Sequence, residues 1–298
     1  MPRARVVLLH GIRTSATMWR NQLLPLAAHD VEVHAVDLPA HGARIDEPFS
    51  VDAAFDAIDD ALNPPAADGA GQDGAGQDGA GDGVPRLLVG LSLGGYLAIE
   101  YAARRPGSLD GLVAASCSTR PRGAALRGYQ RLAALIARLP DRGRGLNDTM
   151  ARLFLPASAV DDVIAGGVAL DVMAPAVGAV GTFDVERSLG AVQCPIWFVN
   201  GRFDHFRLEE RRMLRAARDA RLVLIPGATH LVSLVRPAEF TAAILGAVAE
   251  LERRRARERG SIRSRRVGPG SPDLVSLPVG LRVGPTPHET PGVSPSTS

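Results

Sequence analysis

No lysine occurs among the 298 residues, so apart from histidine every basic side chain is an arginine. With abundant Ala, Gly and Pro, this reads as a bias of codon composition rather than a functional choice. A large charge of one sign is lacking too. The formal net charge of +2 excludes the whole chain as an obvious nucleic-acid binder. Cysteine is scarce: Cys117 and Cys194 lie far apart, which excludes a disulfide framework and a closely spaced metal-ligand pair. A reducing compartment, the cytoplasm, is the expectation. No long apolar run stands out. "MPRARVVLLHG" starts basic, but its apolar stretch is far too short for a signal peptide. Val163–Phe183 is poor in charge, yet it is mostly Ala and Gly and carries Asp171 and Pro175. It is expected to form buried helical segments, not a membrane span. No H-E-x-x-H motif, Walker loop or G-x-G-x-x-G dinucleotide turn competes, so no metal and no organic cofactor is expected.

What is present is an alternation of short β-type runs with longer helical patterns. Strands are predicted at Arg5–His10, Val31–Asp37, Arg86–Leu91, Gly111–Ser116, Pro195–Asn200 and Arg221–Pro226. They are nearly continuous in apolar residues, as strands buried on both faces of a parallel sheet are. Helices are predicted at Trp19–Ala28, Val51–Leu62, Leu93–Arg105, Glu209–Asp219 and Pro237–Arg254. This order predicts an α/β fold with helices on both faces of a mostly parallel sheet.

Three segments break the rhythm. Residues 67–84 hold a near-perfect "DGAGQ" repeat, too poor in apolar side chains to offset its ordering entropy, and a mobile surface loop is expected. Residues 119–187 form a helical insertion between two strands. Residues 256–298, rich in Pro, Gly, Ser and Arg, are expected to be a disordered tail. Its "RRRARERGSIRSRR" run reads as a solvated helix end fading into that tail, since no nucleic-acid module accompanies it. The predicted organisation is therefore a core of 1–118 and 188–255, the insertion 119–187, and the tail.

The most informative stretch is "LLVGLSLGGYLAIEYAARRP", where a strand runs into a helix through G-x-S-x-G. In that context the serine sits on a sharp, strained turn, and glycines at 90 and 94 let strand and helix approach closely. Ser92 is then exposed at the top of the sheet, beside a helix N-terminus that favours developing negative charge. A serine hydroxyl needs a base, and the base needs an orienting carboxylate. His230, in "PGATHLVSLVRP", follows the last strand; Asp204, in "VNGRFDHF", follows the one before. Both lie on loops at the C-terminal ends of strands, where sites of open α/β sheets form. Ser92, Asp204 and His230 are the candidate catalytic residues. The backbone N–H of Leu93, next after the serine, is a candidate oxyanion donor.

With these motifs in place, the sequence resembles the α/β-hydrolase superfamily, in particular its capped serine esterase and lipase-like members. "HGIRTSATMWRNQLLPLA" is similar to the HG-x-x-x-S-x-x-x-W segment of that family. "VDLPAHGAR" is similar to its D-x-P-G-H-G turn, with Ala40 where Gly is usual. "GLSLGG", "VNGRFD" and "GATHLVSLVRP" complete a resemblance covering about residues 5–250. It implies that 119–187 is the helical cap and that the Ile12 backbone N–H is the second oxyanion donor. The usual antiparallel strands ahead of the first motif are not seen, which implies a smaller sheet with an exposed edge. His10 and Gly11 are expected to shape the oxyanion loop, Asp37 and His41 to brace the turn after the second strand, and Trp19 to pack its helix on the sheet. His205 is expected to be a bystander or a pocket wall, and Arg13 to point into solvent rather than greet an anionic substrate.

The expected function is hydrolysis of carboxylic esters or related acyl compounds through an acyl-enzyme. The partner is a small acyl or ester substrate, with no nucleic acid and no membrane. Serine at position 92 disfavours the dehalogenase and epoxide-hydrolase chemistries, which use Asp there. The same triad also serves carbon–carbon, thioester or lactone hydrolysis and perhydrolysis, and a non-catalytic receptor is the alternative outside enzymes.

Overall fold

The computed structural model of the protein describes residues 1–64 and 83–266. The Gly/Ala/Gln repeat and the tail beyond 266 lie outside the described residues. Six strands form one sheet: β1 (Ala4–Leu9), β2 (Val31–Val36), β3 (Arg86–Leu91), β4 (Gly111–Ala115), β5 (Ile196–Gly201) and β6 (Ala220–Ile225). Their spatial order is β2-β1-β3-β4-β5-β6, and every pairing is parallel. The expected mostly parallel sheet is thus wholly parallel among the described residues. Each predicted strand is present to within a residue or two.

Period-two alternation sorts the strand residues into two cores. On one face Val7, Leu9, Leu88, Leu112, Ala114 and Phe198 pack against α2 (Val51–Leu62), α3 (Leu93–Arg104) and α8 (Val185–Ala191). On the other, Val6, Leu8, Leu87, Val89, Val113 and Val199 meet Trp19, Leu26 and the apolar side of α11 (Pro237–Arg266). Strand residues that look continuously apolar are therefore each committed to one side, as burial on both faces requires. The predicted helix Trp19–Ala28 is split: a 3-10 turn over Ala16–Trp19 leads into α1 (Arg20–Ala27). Trp19 is fully buried and its ring stacks 5.8 Å from Phe240 on α11. Strands β2 and β6 are the two edges, and beyond Val31 the residues of β2 are only partly buried.

Between β4 and β5 lie α4 (Gly123–Ile136), α5 (Arg144–Phe154), α6 (Ala157–Ala165), α7 (Met173–Val180) and then α8. The insertion is helical, and its last helix, α8, runs across the expected boundary at 187 to pack on α3 in the core. Within Val163–Phe183 the side chains of Val163, Ala169, Val172, Ala176, Val180 and Phe183 are buried in the protein. Among the described residues no helix is long and apolar enough to cross a membrane.

The helix α9 (Glu210–Ala216) and the short α10 (Val232–Val235) complete the elements. Past the expected start of the tail at 256, α11 continues as helix through Arg266. Its Arg, Ala and Glu residues are strong helix formers, and Arg253 and Arg254 pair with Glu250 three and four residues back.

Candidate active site

Ser92 is the single residue between the end of β3 and the start of α3. Its backbone lies at φ 55°, ψ −111°, a strained conformation for a non-glycine residue that only a tightly determined surrounding sustains. That surrounding is visible. The Ser92 N–H donates to the Ala115 carbonyl at 2.8 Å, and the Gly94 N–H to the His10 carbonyl at 3.2 Å. A Cβ on Gly94 would overlap the Leu9 carbonyl, so α3 can approach β1 only with glycine at that position. Ser92 itself is 9% exposed.

Asp204 and His230 arrive from separate loops, after β5 and β6. His230 Nε2 lies 3.1 Å from Ser92 Oγ, and His230 Nδ1 lies 3.1 Å from Asp204 Oδ1. A carboxylate only accepts, so in the neutral imidazole Nδ1 carries the proton and Nε2 accepts from the Ser92 hydroxyl. The Asp204 side chain is fully buried. Burial alone would raise its carboxyl. The hydrogen bond and charge of His230, with the Phe206 N–H donating at 2.8 Å, outweigh burial and hold it below the usual carboxylate range. The structure thus brings together the three side chains that the sequence singles out.

Buried polar groups brace the loops. Asn200 accepts from the Ser116 N–H and donates to Ser118 Oγ and to Glu210, which Arg207 clasps with Nε and Nη2. His10, fully buried, donates from Nδ1 to the Gly11 carbonyl and accepts at Nε2 from the Leu38 N–H. Burial, then the neighbouring His41, pushes its pKa down to about 3. Asp37 accepts from the Ala16 and Ala43 amides, and His41 from the Arg13 amide. These groups shape the loop and turn as expected.

Ile12 and Leu93 border the same cavity of about 230 Å³ as Ser92. Leu93 opens α3, so its N–H is among those with no partner inside the helix. The cavity wall is mainly apolar, with Tyr96, Leu126, Val177 and Val180. A second cavity of about 460 Å³ borders His230, with Thr14, Asn147, Met150 and Phe154. Ile12 and His205 line both. His205 is therefore a wall; burial, then repulsion from His230, lowers its pKa.

Two features are not legible in the sequence. The Phe206 ring lies 4.6 Å from the His230 ring and confines it. The expectation of a solvent-pointing Arg13 is overturned: its Nε and Nη2 are buried. Among the described residues no cluster of three or more His, Cys, Asp or Glu could hold a metal.

The chain is similar to known proteins. Over 115 residues the chain is 33% identical to a pimeloyl-[acyl-carrier protein] methyl ester esterase of Neisseria meningitidis. The match covers 38% of this chain and spans only 37% of that protein's length. A malate-bound thermophilic esterase from Thermogutta terrifontis superposes with a TM-score of 0.64 at 24% identity, covering 84% of this chain and 90% of the other. An enol-lactonase from Burkholderia xenovorans superposes at 0.60 with 18% identity, covering 82% and 90%. At such identities these two likenesses speak to the fold. The sequence profile of the alpha/beta hydrolase family matches residues 6–243; with the parallel sheet and the serine turn at the end of β3, the chain belongs to that family.

Proposed function

We propose that the protein is a serine hydrolase that cleaves carboxylic esters or closely related acyl compounds through an acyl-enzyme. The observation that carries this reading is the unbroken hydrogen-bond chain from Ser92 through His230 to Asp204 beneath an apolar cavity. Ser92 Oγ attacks the carbonyl carbon while its proton passes to His230 Nε2. Asp204 keeps Nδ1 protonated and favours the imidazolium as it forms. The oxyanion is held by the Leu93 and Ile12 amides. As the intermediate collapses, the bond to the leaving oxygen breaks and His230 returns the proton to it. Water, activated by the same imidazole, then displaces the acyl group and restores Ser92.

The apolar wall of Tyr96, Leu126, Val177 and Val180 fits an aliphatic acyl chain. The free thiols of Cys117 and Cys194 accord with a cytoplasmic location. A fluorophosphonate probe should label the protein at Ser92, and p-nitrophenyl butyrate should be turned over. Ser92→Ala should abolish labelling and cost several orders of magnitude in kcat. A folded protein that neither labels nor hydrolyses esters would overturn the assignment.

A further inference from the structure

Arg13 follows directly on the proposed oxyanion residue Ile12, with its backbone at φ 67°. Its N–H is fixed by His41 Nε2, so the residue is anchored where it stands. The side chain is half-buried. Its Nε and Nη2 are shut off from solvent and lack any hydrogen-bond partner. Among the described residues no carboxylate lies within ion-pair distance of it; Asp148 and the Tyr129 hydroxyl act on it only through space. Burial lowers its pKa from the usual arginine value. The other arginine at these cavities, Arg120, is already tied to Glu209 and Glu186. A desolvated guanidinium with unused donors is costly unless something supplies the acceptor.

The position of Arg13 relative to the proposed chemistry narrows what that acceptor is. It borders the cavity beside His230, whereas Ser92 and Leu93 border the apolar one. In the reaction proposed above, His230 hands its proton to the leaving oxygen. The leaving group must therefore lie against His230, in the cavity that carries Arg13. Among the described residues no acidic side chain lines that cavity, while Thr14 and Asn147 add polar groups to its wall. Binding there requires the guanidinium to turn its buried Nε–Nη2 edge toward the guest, and a planar fork of donors suits a carboxylate in two-point contact.

We propose that the cavity beside His230 is an anion subsite in which Arg13 binds a carboxylate on the leaving-group part of the substrate, which makes the preferred substrates aliphatic acyl esters of short hydroxy acids. This inference rests on the hydrolase reading, and its test separates the two. Butyryloxyacetate is compared with its neutral isostere butyryloxyacetamide by quantifying released butyrate. Monopropyl succinate places the anion on the acyl side, and butyryloxyethyl phosphate replaces the carboxylate by a phosphate.

The expected result is a higher kcat/KM for butyryloxyacetate than for the amide. That ratio should fall by about 30-fold or more in Arg13→Gln, mainly through KM, with partial recovery in Arg13→Lys. Arg13→Met replaces the Gln variant if the latter fails to fold. A ratio that Arg13→Gln leaves unchanged, in protein still labelled at Ser92 by fluorophosphonate, overturns the subsite alone. A preference seen only with monopropyl succinate overturns its placement on the leaving side, and one seen only with the phosphate overturns the carboxylate. If the wild-type protein turns over none of these esters, calorimetric titration with butyryloxyacetate still decides the subsite: binding that weakens in Arg13→Gln supports it, and equal or absent binding overturns it.

Discussion

Gly90, next to last in β3, faces the carbonyl of Gly94 in the first turn of α3 so closely that a Cβ on Gly90 would overlap that oxygen and carbon. Strand and helix meet backbone to backbone, and this contact sets the angle at which Ser92 leaves the sheet. Gly90→Ala should cost about 3 kcal/mol or more, because the obstructing atoms are main chain and cannot rotate aside. Urea denaturation measures the loss. A variant of unchanged stability that still labels at Ser92 would show the turn to be looser than described.

Asp204→Asn should leave the fold intact but reduce kcat by about 10³- to 10⁴-fold, because an amide no longer fixes the proton on His230 Nδ1. Steady-state kinetics on p-nitrophenyl butyrate, with circular dichroism as the check on folding, decide it. A loss below tenfold would mean that His230 is oriented chiefly by Phe206 and the loop rather than by the carboxylate.

Stability should fall as the solution is acidified below about pH 6.5. His10 is fully buried with its pKa pushed down to about 3, so between these values the unfolded chain binds a proton that the folded protein refuses. The contribution is complete above the unfolded pKa and declines below it, by up to about 1.4 kcal/mol per pH unit for one such group. His41, also lowered mainly by burial, acts in the same direction. His10→Asn should flatten the dependence of unfolding free energy on pH between 6.5 and 5, measured by urea titration at each pH. An equal slope in both proteins would rule His10 out as its source.

Ala40→Gly should stabilise the protein. Ala40 sits at φ 63°, in the left-handed region, in the turn that follows β2. Such a conformation costs a residue with a Cβ about 1–2 kcal/mol, offset by the about 0.4–1 kcal/mol of extra unfolded-state freedom that glycine brings. A net gain of about 0.5–1 kcal/mol in the urea midpoint analysis is expected; a loss would mean that the methyl group contributes packing that outweighs the strain.

The site is legible in the sequence to the extent that local constraints define it. Gly90 and Gly94 are required by a backbone approach, Asp204 and His230 fall just past short apolar runs, and the strands are short enough that boundaries shift little. The burial of Arg13 is not legible because it depends on the inserted helices and the cavity walls they build, which no local pattern encodes. Phe206 is illegible for the same reason: it is one aromatic among several until the loop after β6 brings the His230 ring within 4.6 Å of it. The helical continuation of α11 to Arg266 is hidden by overall composition, although Ala, Arg and Glu dominate its first residues past 255.

The parallel sheet has a consequence for biosynthesis. Ser92, Asp204 and His230 are contributed by three strand ends, and the strand that delivers the imidazole, β6, sits at one border and is made last of the six. β6 pairs with the nearby β5, Ile196 opposite Ala220, whereas β1 with β3 and β4 with β5 join distant segments, and such pairings form slowly. A nascent polypeptide halted before β6 carries its serine without a proton acceptor, so reactivity toward an acylating probe reports completion of the sheet rather than its onset.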